Sequence, residues 1–191
     1  AFSAELKEIN EHFFERIEGV PENEELKNSY CTAFGESKYF PENTFSTILK
    51  IRTYIDFLYL ENKELIADLL TVALFSSLLS VSYLKKNGDV RFRTEDEILK
   101  DGVKQLEEIL PTKIDEIAED LLCFDFKMNK TPEFILSNSK KTDCLNDLKI
   151  GAIITSPPYL NGTNYFRNTK IELWFLRYLQ NENDLRYFRD Q

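Results

Sequence analysis

The residues best suited to chemistry are Ser156, Pro157, Pro158 and Tyr159, which follow a short apolar run. The Ser156 hydroxyl and the Pro157 carbonyl can accept hydrogen bonds, while both prolines fix φ and lack an N–H donor. Such a loop can accept both N–H bonds of a planar amino group and draw its nitrogen towards a tetrahedral, nucleophilic form. Tyr159 adds a flat ring on which a base turned out of a duplex can stack.

The four residues alone leave a second interpretation open, in which a strand ends at two prolines and Tyr159 packs. The flanking sequence predicts elements that would position a reactive loop. Residues 134–136 and 150–154 are apolar runs ended by polar residues, as in buried parallel strands. Open α/β sheets bind ligands at the carboxyl ends of such strands. Residues 166–179 predict a helix with one apolar face, formed by Ile171, Trp174, Phe175 and Tyr178.

The first 130 residues read as a mostly helical block. Residues 3–18 predict an amphipathic helix with Leu6, Ile9, Phe13 and Ile17 on one face, and residues 43–60 predict a second. A third is expected over residues 63–85, ended by Asn87 and Gly88. Its apolar stretch is broken by polar residues, which favours a buried helix over a membrane span. Residues 22–43 are mixed and aromatic, with no assigned helix.

Residues 91–93 predict a short extended link. Thr94 can cap the next helix, with Glu97 as the reciprocal cap. We expect Pro111 to break that helix and another to continue over residues 112–122.

The chain has 191 residues and a net charge of -9, which does not suit a nucleic-acid binder. Five basic and four acidic side chains occur from residue 156 onward, so the acidity lies in the earlier part. The three cysteines have no CxxC spacing, which favours reduced thiols in a cytoplasmic protein over a disulfide framework or a zinc site. No metal site and no membrane contact are expected.

Residues 153–176, IITSPPYLNGTNYFRNTKIELWFL, resemble motif IV of the DNA amino-methyltransferases, which modify N6 of adenine or N4 of cytosine. Residues 161–176 are similar to one bacterial branch of that family, in which an Asn-x-x-x-Tyr-x-Arg-x-x-Lys segment leads into an aromatic helix. Residues 40–55 and 79–93 also resemble that branch, less distinctively. The resemblance therefore covers most of the chain and is strongest at its end.

The resemblance implies S-adenosyl-L-methionine (SAM) as cofactor, DNA as partner and a Rossmann-like sheet. It assigns catalysis to Ser156, Pro157, Pro158 and Tyr159. Asn138 occupies the position at which the family often places an acidic residue against the adenine of SAM, so it becomes a candidate for cofactor binding.

Arg167 and Lys170 become candidates for phosphate contact near the flipped base, with a solvated helix edge as the alternative. Serine at the first motif position favours cytosine N4 over adenine N6 as the target.

One feature of the family has no counterpart in this sequence. The glycine-rich loop that approaches SAM is not found, because the glycines at positions 19, 35, 88, 102, 151 and 162 form no cluster. We therefore expect the 191 residues to be a piece of the enzyme or one half of a split enzyme, inactive alone. A missing segment or a second chain would then supply the SAM loop.

The predicted fold class is mainly α with a small α/β part: a helical domain over residues 1–130, and a partial methyltransferase segment over residues 131–191 that carries the catalytic loop. The predicted function is site-specific DNA methylation at a base amino group, within restriction-modification. Two alternatives stay open. One is a methyltransferase acting on RNA or on a protein glutamine, and the other is a non-catalytic helical interaction subunit.

Overall fold

A computed structural model describes residues 2–123, 135, 151–152, 154 and 165–189. The chain divides into two compact units. Ala1–Phe124 and Asn164–Gln191 form one unit, and Asp125–Thr163 form the other. Of the predicted strands at residues 134–136 and 150–154, the structure describes residues 135, 151, 152 and 154 and places none of these four in a strand; the other residues of both runs lie outside the described part. The elements described below belong to the first unit, and they confirm a mainly α fold.

The described residues form nine helices and one antiparallel hairpin. In chain order the elements are α1 (Phe2–Glu11), α2 (Phe13–Glu18), α3 (Glu24–Phe34), α4 (Glu42–Leu60), α5 (Glu64–Leu78), β1 (Leu84–Asn87), β2 (Asp89–Phe92), α6 (Glu95–Asp101), α7 (Leu106–Cys123), α8 (Tyr165–Phe175) and α9 (Glu182–Arg189).

The helical periodicity correctly predicted two apolar faces. The first predicted face is buried across α1 and α2, which are separated at His12. The apolar positions of α4 at 48, 51, 55 and 58 are buried as well. These faces form the core together with α5 and α7, and α7 packs against both α1 and α5. No helix within residues 2–123 and 165–189 is long and apolar enough to cross a membrane.

Helix α3 lies in a region for which the sequence analysis predicted no helix. Asn23 caps it, because its side-chain oxygen accepts a hydrogen bond from the Leu26 N–H at 3.0 Å. Glu24 and Glu25 then place negative charge in the first turn, where the helix dipole favours it. The cap and the acidic turn were readable signals, but nearby breakers at Gly35 and Pro41 obscured them.

Helix α5, predicted over residues 63–85, is shorter than predicted. It ends at Leu78, and residues up to Lys85 are not helical. Asn87 and Gly88 instead belong to a hairpin, in which Leu84 pairs with Phe92. Gly88 has a φ of 77°, which only glycine adopts without strain. The Asn-Gly pair was therefore a hairpin signal and not a helix end.

The capping box at Thr94 is confirmed, because the Glu97 N–H donates to Thr94 Oγ1 and Glu97 Oε2 accepts from the Thr94 N–H. The predicted break at Pro111 is wrong, since this proline lies inside α7. Proline removes one backbone hydrogen bond. The buried stripe of α7 outweighs that loss, and the Asn10 amide donates to the Pro111 carbonyl at 3.0 Å.

Helix α8 docks on the helical body through Trp174, which is fully buried. The indole N–H of Trp174 donates to the Leu26 carbonyl at 3.0 Å and lies 3.1 Å from Ser29 Oγ. Ile171 and Phe175 are buried as predicted, but Tyr178 is 65% exposed. The helix ends at Phe175 and the chain turns at residue 177, so Tyr178 leaves the apolar face.

We predict that Trp174→Ala lowers the free energy of unfolding by about 3–5 kcal/mol, the usual cost of deleting a buried aromatic side chain. Tyr178→Ala is the matched control, and we expect its effect to stay within about 0.5 kcal/mol because the ring is exposed. Urea denaturation followed by circular dichroism measures both. Equal losses for the two variants would contradict the described packing of α8.

Candidate nucleic-acid interface

The structure describes only part of the predicted site. Ser156, Pro157, Pro158, Tyr159 and Asn138 lie outside the described residues, so their roles stay predictions. Only five residues separate Tyr159 from the start of α8, which carries Arg167 and Lys170.

Arg167 and Lys170 lie one turn apart and therefore on the same side of α8. Arg167 is exposed, and its Nη1 is 3.6 Å from Asp89 Oδ2 on the hairpin. Lys170 is half-buried, and its ammonium donates to the Tyr39 hydroxyl at 2.9 Å. The ammonium also lies 4.3 Å from the centre of the Tyr39 ring, which is a cation–π distance. The structure thus brings both predicted cations together.

The surroundings hold the start of α8 and the Lys170 side chain in place. The Asn168 side-chain oxygen accepts a hydrogen bond from the Val90 N–H at 2.9 Å and ties the start of α8 to β2. The Tyr39 ring stacks on Phe92, with centres 5.3 Å apart and planes 15° apart. The backbone carbonyl of Tyr39 accepts a hydrogen bond from the Tyr83 N–H at 2.8 Å. Lys170 therefore rests on an aromatic ring that the hairpin fixes.

A cavity of about 250 Å³ opens beside these cations. Helices α3, α8 and α9 contribute to its wall, together with the segment after α3. Its lining residues are Ala33, Phe34, Ser37, Tyr39, Phe166, Arg167, Lys170 and Leu185. The cavity thus combines three aromatic rings with two positive charges.

A larger cavity of about 1060 Å³ lies elsewhere, among α1, α2 and α4. Glu5, Glu8 and Glu61 line it together with Arg16 and Lys63. Lys63 lies 3.9 Å from Glu5 and 3.3 Å from Glu61, and Arg16 lies 3.8 Å from Glu8. These carboxylates make the larger cavity a poor receptor for phosphate.

Asp56, on α4, links this helix to the turn that follows α8. Its carboxylate accepts from Arg52 Nη2 at 2.7 Å and from Arg177 Nη2 at 2.8 Å. Asn23, the cap of α3, also donates to it at 3.1 Å. Arg52 is buried, and its Nη1 donates to the Phe175 carbonyl at 3.1 Å. Arg177 reaches Asp56 from a left-handed backbone with φ of 64°.

The charge balance at this junction sets the ionisation of Asp56. Burial by itself would raise the pKa of Asp56, because it disfavours the charged form. The hydrogen bonds from Arg177 and Arg52 outweigh burial and hold the pKa below its usual value. Asp56 is therefore a carboxylate at neutral pH, stabilised by two guanidinium groups.

The described residues do not fit SAM in the way that the resemblance implies. Gly19, Gly35 and Gly102 lie at helix ends, and Gly88 lies in the hairpin. They are spread over separate elements, and open space surrounds the position of a Cβ at each one. None of the four belongs to a turn that follows a strand and opens a helix, as a cofactor loop would.

The described part of the chain also contains no group of three or more His, Cys, Asp or Glu side chains placed to hold a metal ion. Cys31 and Cys123 are both exposed free thiols.

The sequence analysis missed the residues that support Arg167 and Lys170. Tyr39 was not singled out, because its contact with Lys170 spans 131 positions of the chain. Asp56 was also missed, although Arg52 and Asp56 have the i,i+4 spacing of a helical ion pair. That spacing can be recognised in the sequence, whereas the contact of Arg177 with Asp56 spans 121 positions and depends on the tertiary fold.

Comparison of the chain with protein-family models, with curated proteins and with solved structures finds no match.

We predict that Asp56→Asn lowers the free energy of unfolding at pH 7 by about 2 kcal/mol, since it removes the charge from hydrogen bonds to two guanidinium groups. Because the folded-state pKa of Asp56 is lowered, this stabilisation is complete above the unfolded pKa of about 3.9. It is lost as the pH falls through the folded-state pKa.

The measurement is urea denaturation of both proteins from pH 7 to pH 2. Glu25→Gln is the control, because Glu25 is 68% exposed and also pairs with Arg177. We expect its effect to stay within about 1 kcal/mol. A difference between the native protein and Asp56→Asn that stays constant down to pH 2 would refute the proposed ionisation.

Proposed function

We propose that this chain carries the catalytic loop of a SAM-dependent DNA amino-methyltransferase that modifies a base amino group, with cytosine N4 as the first candidate. The observation that carries the proposal is the order of residues from Ser156 to Lys170. Two acceptors, two prolines and an aromatic ring follow an apolar run and lead into α8 with its paired cations.

Each residue type in that order has a chemical reason. An exocyclic amino group is a poor nucleophile because its lone pair is delocalised into the ring. The Ser156 hydroxyl and the Pro157 carbonyl can accept its two N–H bonds, which favours a tetrahedral nitrogen. The flat ring of Tyr159 suits a base removed from its stack, because every base presents a π-face.

Described contacts support an anionic substrate near α8. Arg167 and Lys170 place two positive charges on one side of this helix. Among the described residues, no carboxylate lies within 4 Å of the Lys170 ammonium. In a chain of net charge -9, this pair gives the start of α8 a local positive charge, which Asp89 partly offsets from 3.6 Å away. The resemblance then makes DNA the favoured partner.

The proposal places the glycine-rich loop for SAM outside the 191 residues or on a partner chain. The complete activity would belong to the assembly that contains that loop, within restriction-modification. An RNA or a protein glutamine offers a similar planar nitrogen, so both are included as substrates in the test.

We predict that Tyr159→Ala in the assembled enzyme greatly reduces methyl transfer to duplex DNA. Loss of base stacking should cost about 1–3 kcal/mol, or roughly 5- to 150-fold in rate. Tyr159→Phe keeps the ring and should retain most of the activity. Transfer of labelled methyl groups, followed by nucleoside analysis, measures the rate and identifies the modified base.

Native turnover by Tyr159→Ala would contradict the stacking role. Labelling of RNA or of a protein glutamine in place of DNA would overturn the assignment of the substrate.

We further predict that the 191-residue chain alone does not bind SAM with micromolar affinity, because none of Gly19, Gly35, Gly88 and Gly102 lies in a turn that follows a strand and opens a helix. Isothermal titration calorimetry of the purified chain with SAM should show no stoichiometric signal. A micromolar signal at one site per chain would mean that other residues of this sequence build the cofactor site.

A further inference from the structure

We propose that the cavity lined by Phe34, Tyr39, Phe166, Arg167 and Lys170, called here the α8 cavity, binds one unstacked nucleotide of a DNA strand. Its aromatic wall would receive the base, and its two cations would receive the phosphate. The proposal rests on the proposed function for the choice of DNA, and on the geometry of this cavity for the choice of a single nucleotide.

The size of the α8 cavity limits its ligand. Its volume is about 250 Å³, which is below the roughly 300–1,000 Å³ that is usual for pockets binding drug-sized molecules. One base with part of its sugar fits such a space, whereas much of a whole dinucleotide or of SAM would lie outside it. Its walls are also rigid, because Phe34 and Tyr39 are at most 8% exposed and pack against each other at 5.1 Å.

The aromatic wall suits a flat ring. Phe166 stacks on Phe188 of α9, with centres 5.8 Å apart and planes 11° apart. Among the described residues, Phe188 is the only ring in contact with Phe166. A base that enters the α8 cavity can therefore extend this stack, and stacking of bases on aromatic side chains is largely independent of sequence.

The two cations suit a phosphate at the mouth of the same cavity. Lys170 is held by Tyr39 through a hydrogen bond and a cation–π contact, so its ammonium is positioned before a ligand arrives. Arg167 is exposed and pairs with Asp89 at the long distance of 3.6 Å. That distance is longer than a hydrogen bond, whereas a phosphate group can accept two parallel hydrogen bonds from a guanidinium group. Asp89 therefore competes with the phosphate for Arg167.

This combination separates the α8 cavity from the larger cavity lined by Glu5, Glu8 and Glu61. The larger cavity has room for a bigger ligand, but its carboxylates would repel phosphate. Arg16 and Lys63, the cations there, already lie within 4 Å of those carboxylates. The larger cavity thus provides an internal control within the same molecule.

The test is a titration of the isotopically labelled 191-residue chain with the single-stranded trinucleotide p(dT)3, followed by nuclear magnetic resonance at low salt. We expect the largest chemical-shift changes at Phe34, Tyr39 and the first turns of α8. Thymidine alone and inorganic phosphate alone should each bind at least about fivefold more weakly, because each supplies only half of the contacts.

Matched variants separate the α8 cavity from general effects. Phe166→Leu keeps apolar volume but removes the flat ring, and should weaken p(dT)3 binding about fivefold or more. Lys170→Gln should weaken it at low salt and reduce the slope of log affinity against log salt by about 0.7. Phe57→Leu and Lys63→Gln, at the larger cavity, should change neither quantity. Asp89→Asn should tighten binding, because it removes a carboxylate that lies 3.6 Å from Arg167.

Several results would overturn the proposal. These are the absence of shift changes at the α8 cavity, equal affinity of Phe166→Leu and the native chain, or weaker binding by Asp89→Asn. Tighter binding of the RNA trinucleotide or of a phosphotyrosine peptide would refute the choice of DNA. If p(dT)3 binding fails these tests while Tyr159→Ala does lose methyl transfer, only the proposed nucleotide site is refuted. If p(dT)3 binds as expected while Tyr159→Ala keeps native methyl transfer, only the proposed function is refuted.

Discussion

The seat of α8 on α3 and α4 is the constraint on which the described arrangement depends. Trp174 buries an indole and satisfies its N–H on α3, and Asp56 accepts hydrogen bonds from two guanidinium groups, one on α4 and one in the turn after α8. A buried aromatic side chain supplies most of the energy, because its apolar area leaves water. The ion pairs of Asp56 fix the orientation of α8, because Arg52 lies on α4 and Arg177 lies in the turn after α8.

Fixing α8 also fixes the cations that it carries. A lysine on a flexible stem loses rotamer entropy when it binds an anion. The Tyr39 hydroxyl and ring restrain the Lys170 ammonium before any anion arrives. Phe92 supports Tyr39 by stacking on its ring. The hairpin therefore contributes to the site, although the sequence analysis predicted no functional residue on it. It also carries Asp89, whose carboxylate competes for Arg167.

The sequence was sufficient where a local pattern determines the structure. Periodicity predicted the buried faces of α1, α2 and α4, and the Thr94 spacing predicted a capping box, because these interactions span one or two turns. It failed where a local signal has two outcomes. Asn87 and Gly88 can end a helix or close a hairpin, and Pro111 can break a helix or lie within one. Packing against α1 and α5 decided the second case.

The charge pattern is the reason that we propose a small aromatic cavity, and not a broad basic surface, as the contact with a nucleic acid. A chain of net charge -9 gains little from long-range attraction to a polyanion, so extended contact with a duplex is disfavoured. Stacking of a base on an aromatic wall depends far less on net charge, because every base presents a π-face. Two positioned cations then need to neutralise only one phosphate. On this proposal, an acidic protein holds a single nucleotide at α8 without a basic surface over the rest of its body.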